Sequence, residues 1–514
     1  LSLLSELPST EPPGPGLPTT GFPASDAVAR ADSLLCADRQ FGDSAAVGER
    51  NYARFRLGLT MLARRDGSCA QALRTTAAEP EERLRPLLFD PVLRHCFEDD
   101  ILRLENGTLE HSALGRYLVQ YRGERPVTDP SSVGPCEGLT QPRRRAWPGL
   151  GNAWLLTEPK PRDPVDEMLG DRLMELYRDA LGDGQAQAPV SPTSADRATL
   201  REGAELLASL MPATGASVLG HITMVGLTRR ETQEGPLQSM SGGDPLPSSV
   251  LLAPERCTSP WLAAESLLHE GSHLKLFDAL RTGAVVRNAT QQVPIPWRIG
   301  SWTVIRVFVA LHFYVHLLVF QAAATAADEA VRKRFGPPPA AEVIDEPSPG
   351  TPAALRGSHR TSAERARYLA ERVLALPEEA LTENGHRFAR WLLAVLRLVD
   401  QDAPTPQGRA GTTAARPAAA APLTGVFHRV TPVDACALPG LGQLLVGDAA
   451  SARMHWLNSR SWTVYSLCDG RDLDSLRTAY ADAAGLAAGS TEADRHVGDS
   501  MRQLVAAGLV TRPG

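Results

Sequence analysis

Ser259-Pro-Trp-Leu-Ala-Ala-Glu-Ser-Leu-Leu-His269-Glu270-Gly271-Ser272-His273-Leu-Lys-Leu-Phe-Asp-Ala-Leu-Arg281 is the stretch on which the reading of this chain turns. Ser259 can cap a helix, Pro260 fits its first turn and Gly283 can end it, so the pattern predicts one helix from Pro260 to Arg281. On that helix His269 and His273 stand four residues apart and project from one face toward a shared centre. Glu270 follows the first histidine, where a carboxylate serves as a base or holds a metal-bound water. Leu267, Leu268, Leu274, Leu276 and Phe277 surround the motif, so this turn is expected to be buried. Unpaired buried imidazoles are costly, whereas ligated ones are not.

An open catalytic site needs a third protein donor. A metzincin would carry Gly and His three and six residues beyond His273, but Leu276 and Ala279 stand there. A gluzincin would place a helical glutamate downstream, yet none occurs between Glu270 and Glu329. The apolar run Trp302 to Phe320 offers His312, with His316 one turn on as the alternative donor. Arg298 precedes this run and Arg306 stands within it, and a buried arginine is a natural clamp for a carboxylate because its planar donors reach both oxygens. His221 reads as a half-buried strand residue.

The run 302–320 is apolar enough to suggest a membrane span. Its central Arg306, His312 and His316 argue for a buried helix instead, since arginine alone costs roughly 2.5–3.5 kcal/mol at a bilayer centre. No membrane partner is therefore expected.

Around this centre the fold class reads as mainly α with a small β component. Residues 1–26 are rich in Pro, Gly, Ser and Thr and read as a disordered tail. Residues 27–400 form the metal-binding catalytic domain, 401–424 an Ala/Pro/Thr/Gly linker, and 425–514 a separate domain. Helices are expected at 52–62, 164–182, 195–211, 302–325, 362–375 and 384–400, with strands at 216–227 and 249–253. Residues 120–160 and 336–357 are Pro-rich and read as loop.

The last 90 residues carry a winged-helix pattern of three strands and three helices. Met454-His455-Trp456-Leu457-Asn458 forms a strand, a helix ends near Leu467-Cys-Asp-Gly470, Asp472 or Asp474 caps the next, and a final helix covers 491–507. DNA binding is the commonest use of that pattern, but residues 425–514 hold eight arginines, no lysine and nine acidic residues, a net of −1. The remaining use is to take an extended peptide along a sheet edge.

The net charge of −6 likewise gives no reason to expect nucleic acid. Seven scattered cysteines, none spaced as CxxC, argue against a disulfide framework, a zinc ribbon or an iron–sulfur cluster. With no basic segment ahead of an apolar core at the N-terminus, the expected location is cytoplasmic.

Two resemblances add to this reading. Leu457-Asn458, Leu467 to Gly470 and Gly508 to Val510 resemble the PqqD-like recognition domain of ribosomally made, post-translationally modified peptide pathways. That resemblance implies that residues 425–514 bind the leader of a precursor peptide by strand addition, with Met454, His455, Trp456 and Leu457 as the docking strand. His269 to Leu276, Pro296-Trp-Arg298, Leu311-His-Phe-Tyr314 and Leu381 to Phe388 resemble the HExxH-type peptide β-hydroxylases of the same pathways. Ile299-Gly-Ser-Trp302 stands where that family carries Asp-Pro-Arg-Pro.

The second resemblance implies a non-haem Fe(II) enzyme that uses α-ketoglutarate. Its metal would sit in a two-His-one-carboxylate shell, for which Glu270 is a candidate in place of His312. Arg298 or Arg306 would hold the distal carboxylate of α-ketoglutarate. The expected activity is hydroxylation of a side-chain carbon in a leader-bearing peptide. The alternatives are a zinc metallopeptidase with Glu270 as general base, and a non-catalytic peptide-binding scaffold.

Overall fold

A computed structural model describes residues 24–124, 153–156, 164–182, 188–232, 235–297, 300–339, 359–405, 423–448, 450–487 and 489–511. Among these the chain is mainly helical with small sheets. Residues 1–23 of the expected tail and 406–422 of the expected linker lie outside the described residues, as do 125–152, 157–160 and 340–357 of the expected loops.

The chain opens with α1 (Ala24–Ala37), α2 (Ser44–Arg65), α3 (Ala70–Ala77), α4 (Glu81–Phe89), α5 (Pro91–Glu105) and α6 (Ala113–Glu124). After β1 (Trp154–Leu155) come α7 (Pro164–Leu181), α8 (Ser194–Leu210) and α9 (Pro212–Leu219). Residues 216–219 thus belong to a helix, not to the expected strand. Pro212 occupies the first turn of α9, and Gly215 lets the helix sit against Ala208, where a Cβ would come within 3.0 Å. Only β2 (Met224–Leu227) of that segment is extended.

β3 (Glu231–Thr232) and β4 (Gly235–Pro236) form a small hairpin, followed by β5 (Ser239–Ser241) and β6 (Ser249–Leu252). The main sheet has the order β1-β2-β6-β5, with β5 antiparallel at its edge. β2 and β6 are buried along their whole length, as parallel strands covered on both faces must be.

α10 (Pro260–Leu280) starts where the sequence predicts: Ser259 Oγ accepts from the Trp261 amide at 3.2 Å. It is the central helix, packed by α8, α9, α2 and the β5–β6 corner. Gly271 faces α9, and a Cβ there would lie 3.0 Å from the Val218 carbonyl oxygen and 3.2 Å from Ile222 Cδ1. β7 (Gln292–Pro294) and β8 (Ser301–Thr303) form a second hairpin. α11 (Val304–Thr325) then crosses α10, with α12 (Glu329–Phe335), α13 (Ser362–Leu374) and α14 (Glu383–Val399) completing this layer. α11 is long and apolar enough to cross a membrane, but 67% of its most apolar window is buried against these neighbours.

The C-terminal region holds β9 (Val426–Arg429), β10 (Asp434–Leu438), β11 (Gln443–Gly447), β12 (Met454–Asn458), α15 (Ser459–Leu467), β13 (Asp469–Asp472), α16 (Leu473–Ala483), α17 (Thr491–Ala506) and β14 (Val510–Thr511). The three expected helices are present, with Asn458 and Asp472 as N-caps of α15 and α16. Among the described residues six short strands stand where three were expected, in two sheets, β10-β11-β12 and β13-β9-β14. Residues 469–472 pair with β9, so the helix ends at Leu467, short of Gly470.

Strands β11 and β12 are packed on both faces, while Ala435 and Ala437 of β10 are exposed. Leu445, Met454 and Trp456 join the core of α2 to α7, while Leu444, Val446 and Leu457 join the core of α15 to α17. Gly447 touches α2 so closely that a Cβ would lie 3.2 Å from Leu57 Cδ1 and Met61 Sδ.

Candidate metal centre

Helix α10 brings His269, Glu270 and His273 together: one ligand atom from each lies within 4.8 Å of the others. An ion with bonds of about 2.0–2.2 Å spans its donors by at most about 4.4 Å, so small side-chain rotations complete the shell. Burial first, then the neighbouring His269, hold His273 down at about 4, so its ring is neutral. His273 Nδ1 is buried and has no hydrogen-bond partner, a lone pair or N–H that a ligand would satisfy. His269 is also held below the ordinary histidine value, by burial and by the Arg256 guanidinium. About a third of its side chain is exposed, which leaves a path from solvent.

Phe313 of α11 lies on His269, and Phe277 stacks beyond His273 at 6.1 Å. Glu270 is buried, with Oε1 3.7 Å from His269 Nδ1. Ser239 Oγ donates to Oε1 at 2.6 Å, and the Ser241 amide donates to the same carboxylate. Burial outweighs His273, these donors and the Arg256 guanidinium and raises the Glu270 carboxyl. A bound cation would reverse that, because it favours the carboxylate form. The donor set therefore fits a divalent ion: two neutral imidazoles and a buried carboxylate anchored by β5.

The expected third donors from α11 do not join this cluster. His312 is fully buried, with its ring near Phe388 and Trp391 of α14, and neither of its ring nitrogens has a partner. His316 Nδ1–H donates to the His312 carbonyl oxygen at 2.8 Å. Burial holds His312 well below its ordinary value and His316 at about 3. The third donor in reach of the two motif histidines is Glu270. Among the described residues no other His, Cys, Asp or Glu completes a cluster there.

Arg306 is exposed and stacks on Trp302 at 4.7 Å, so it is not the buried clamp expected from sequence. Arg298 lies outside the described residues, although Trp297 before it is buried. The guanidinium whose charge reaches His269 and Glu270 is Arg256, held by Ser266 Oγ at 2.6 Å and Glu265 at 3.0 Å. Arg256 and Ser239 were not singled out from the sequence, and Phe313 entered only within the stretch Leu311 to Tyr314.

Met454, His455, Trp456 and Leu457 lie on β12, an edge of its sheet. Met454 and Trp456 pack on one core and Leu457 on the other, so the backbone edge is what a peptide would meet. No protein-family model matches the chain, and no curated protein matches it.

Proposed function

We propose that the chain is a metal-dependent enzyme that hydroxylates a side-chain carbon of a ribosomally made precursor peptide, using Fe(II) and α-ketoglutarate. The observation that carries this reading is the His269–Glu270–His273 cluster. Two imidazoles and one carboxylate on one side of an ion leave the remaining positions to a co-substrate and oxygen, the arrangement of non-haem iron oxygenases. Bound together, Fe(II) and α-ketoglutarate supply the oxidising power that an unactivated carbon requires. The chain's own residues hold the ion and orient its ligands: Ser239 and Ser241 fix the carboxylate, and Phe313 fixes the plane of His269. Arg298 is the residue we assign to the distal carboxylate of α-ketoglutarate, since Arg306 faces solvent.

In the same reading the C-terminal region is a PqqD-like, winged-helix-type recognition module. The open edge of β12 supports it, because an extended leader can add there as a further strand. The test is direct. Protein loaded with Fe(II) without oxygen and given α-ketoglutarate should develop a visible charge-transfer band, and should release succinate once air is admitted. Absence of both overturns the proposal.

A zinc metallopeptidase remains the second reading, favoured by the HExxH spacing. It requires Glu270 free of the metal and a further ligand from another element. Cleavage of peptides by the zinc-loaded protein without α-ketoglutarate would establish it.

A further inference from the structure

Away from the metal cluster, Ser44, His221 and Asp278 form a chain of two short hydrogen bonds beside a cavity of about 690 Å³. Ser44 Oγ lies 2.7 Å from His221 Nε2, and His221 Nδ1 lies 2.7 Å from Asp278 Oδ2. Burial raises the Asp278 carboxyl, but Arg94, the His221 hydrogen bond and Arg281 outweigh it and hold the group well below the usual carboxylate range. An ionised carboxylate only accepts, so His221 Nδ1 carries a proton. In the tautomer with the proton on Nδ1, Nε2 keeps its lone pair and accepts from Ser44 Oγ–H. That is the tautomer a serine nucleophile needs.

The surroundings fit the same use. His221 and Asp278 are buried, while Ser44 is half-exposed and lines the cavity with the apolar Ala45, Phe89, Leu219 and Ile222 and the charged Glu82 and Arg85. Ser44 is the first residue of the 22-residue helix α2, where the positive end of the helix dipole favours a developing alkoxide or oxyanion. The Ala45 and Ala46 amides are taken by Asp43 Oδ1, which leaves the Ser44 amide as the first-turn donor beside Oγ. Asp278 is fixed from behind: Arg94 Nη2 reaches Oδ1 at 2.5 Å and Arg281 Nη1 reaches it at 3.2 Å. Oδ2 is thereby presented to His221. The hydroxyl has one competing acceptor, the Ser217 carbonyl oxygen at 3.2 Å, which is farther than Nε2.

We infer that Ser44, His221 and Asp278 form a second active site, independent of the metal, that hydrolyses esters of small apolar acyl groups. Ser44 Oγ attacks the ester carbonyl carbon while His221 Nε2 takes its proton. The bond from the acyl carbon to the leaving oxygen breaks, and that oxygen receives the proton from Nε2. Water then attacks the acyl-Ser44 ester and gives a proton to Nε2. The bond to Ser44 Oγ breaks, Oγ regains that proton, and a carboxylic acid leaves. Asp278 keeps the ring oriented and stabilises its protonated form without taking the proton.

The experiment uses the full chain with a fluorophosphonate probe and with p-nitrophenyl butyrate, in the presence of EDTA. The expected result is a single phosphonyl adduct mapped to Ser44, with ester turnover that EDTA leaves unchanged. Both should fall by at least about a thousandfold in Ser44→Ala and in His221→Gln. Wild-type protein that takes no label on Ser44, or a folded Ser44→Ala that hydrolyses the ester at the wild-type rate, overturns the inference and leaves the three residues a strut between α2, the loop after α9 and α10. Should a variant fail to fold, the position of the label on wild-type protein decides alone.

Discussion

Phe313 lies flat on His269, with ring centroids 3.6 Å apart and planes 16° from parallel. The imidazole is thus gripped by the neighbouring helix as well as by its own. An aromatic pair of this kind contributes about 0.5–1.5 kcal/mol. Phe313→Ala should therefore weaken metal binding by about 2–12-fold, measured by titration against a chromophoric chelator. Unchanged affinity would reduce Phe313 to a packing role.

Glu270 is either a ligand or a base, and one pair of variants separates the two. With the carboxylate in the shell, Glu270→Gln should lower metal affinity by at least about 10–100-fold, and Ser239→Ala, which frees Oε1, by about 10-fold. With Glu270 as a base only, Glu270→Gln keeps its metal and loses turnover.

His312→Leu should retain full metal content. It removes two ring nitrogens that have no partner in a fully buried position, so stability should change by less than about 1.5 kcal/mol or rise. Loss of metal from this variant would return His312 to the ligand shell.

The Arg94–Asp278 pair is buried, and cutting it by Arg94→Met should cost about 3–5 kcal/mol in urea unfolding. The folded Asp278 titrates below its unfolded value, so its contribution is complete above about pH 4 and declines as the pH falls toward the folded value. The gap between wild type and variant should narrow on the acid side. A gap that is constant with pH would assign the loss to packing alone.

The C-terminal region should stay with the rest of the protein after the chain is cut. Its β10-β11-β12 sheet shares a core with α2, and Arg64 donates to the Val433 carbonyl oxygen at 3.0 Å. A protease site placed after Arg409 and then cleaved should give two fragments that co-elute from a sizing column. Separate elution would show a weak, mobile tether. Deleting residues 425–514 is for the same reason a poor test of leader binding, because it strips α2 of the cover over Leu57 and Met61. Hydrogen exchange at residues 454–458 is the cleaner readout.

The helix that carries the candidate metal ligands was legible because its signals are local: a serine cap, a proline in the first turn and histidines one turn apart. Glu270 was legible as a third donor beside them, but the place of His312 was not, and the reason is angular. Each residue turns an α-helix by about 100°, so His312 and Phe313 look onto different neighbours. Periodicity put His312 and His316 on one face of α11, but only packing decides that this face meets α14 while Phe313 meets α10. Ser239 was hidden for another reason. It reaches Glu270 through the order of a sheet whose edge strand is three residues long, and no local pattern encodes that pairing. The Ser44–His221–Asp278 chain spans three distant segments and left no trace in spacing at all.

Gly271 sits inside the metal motif yet answers to a different neighbour. Its bare α-carbon lets α10 lie against the end of α9, so this middle position is set by the thickness of a helix contact and not by chemistry at the ion. Distant relatives that keep this architecture should carry the smallest side chains at the corresponding place even if their metal differs. One that bears a bulky residue there must have parted the two helices, which would shift the loop of His221 and, with it, the alignment of Ser44.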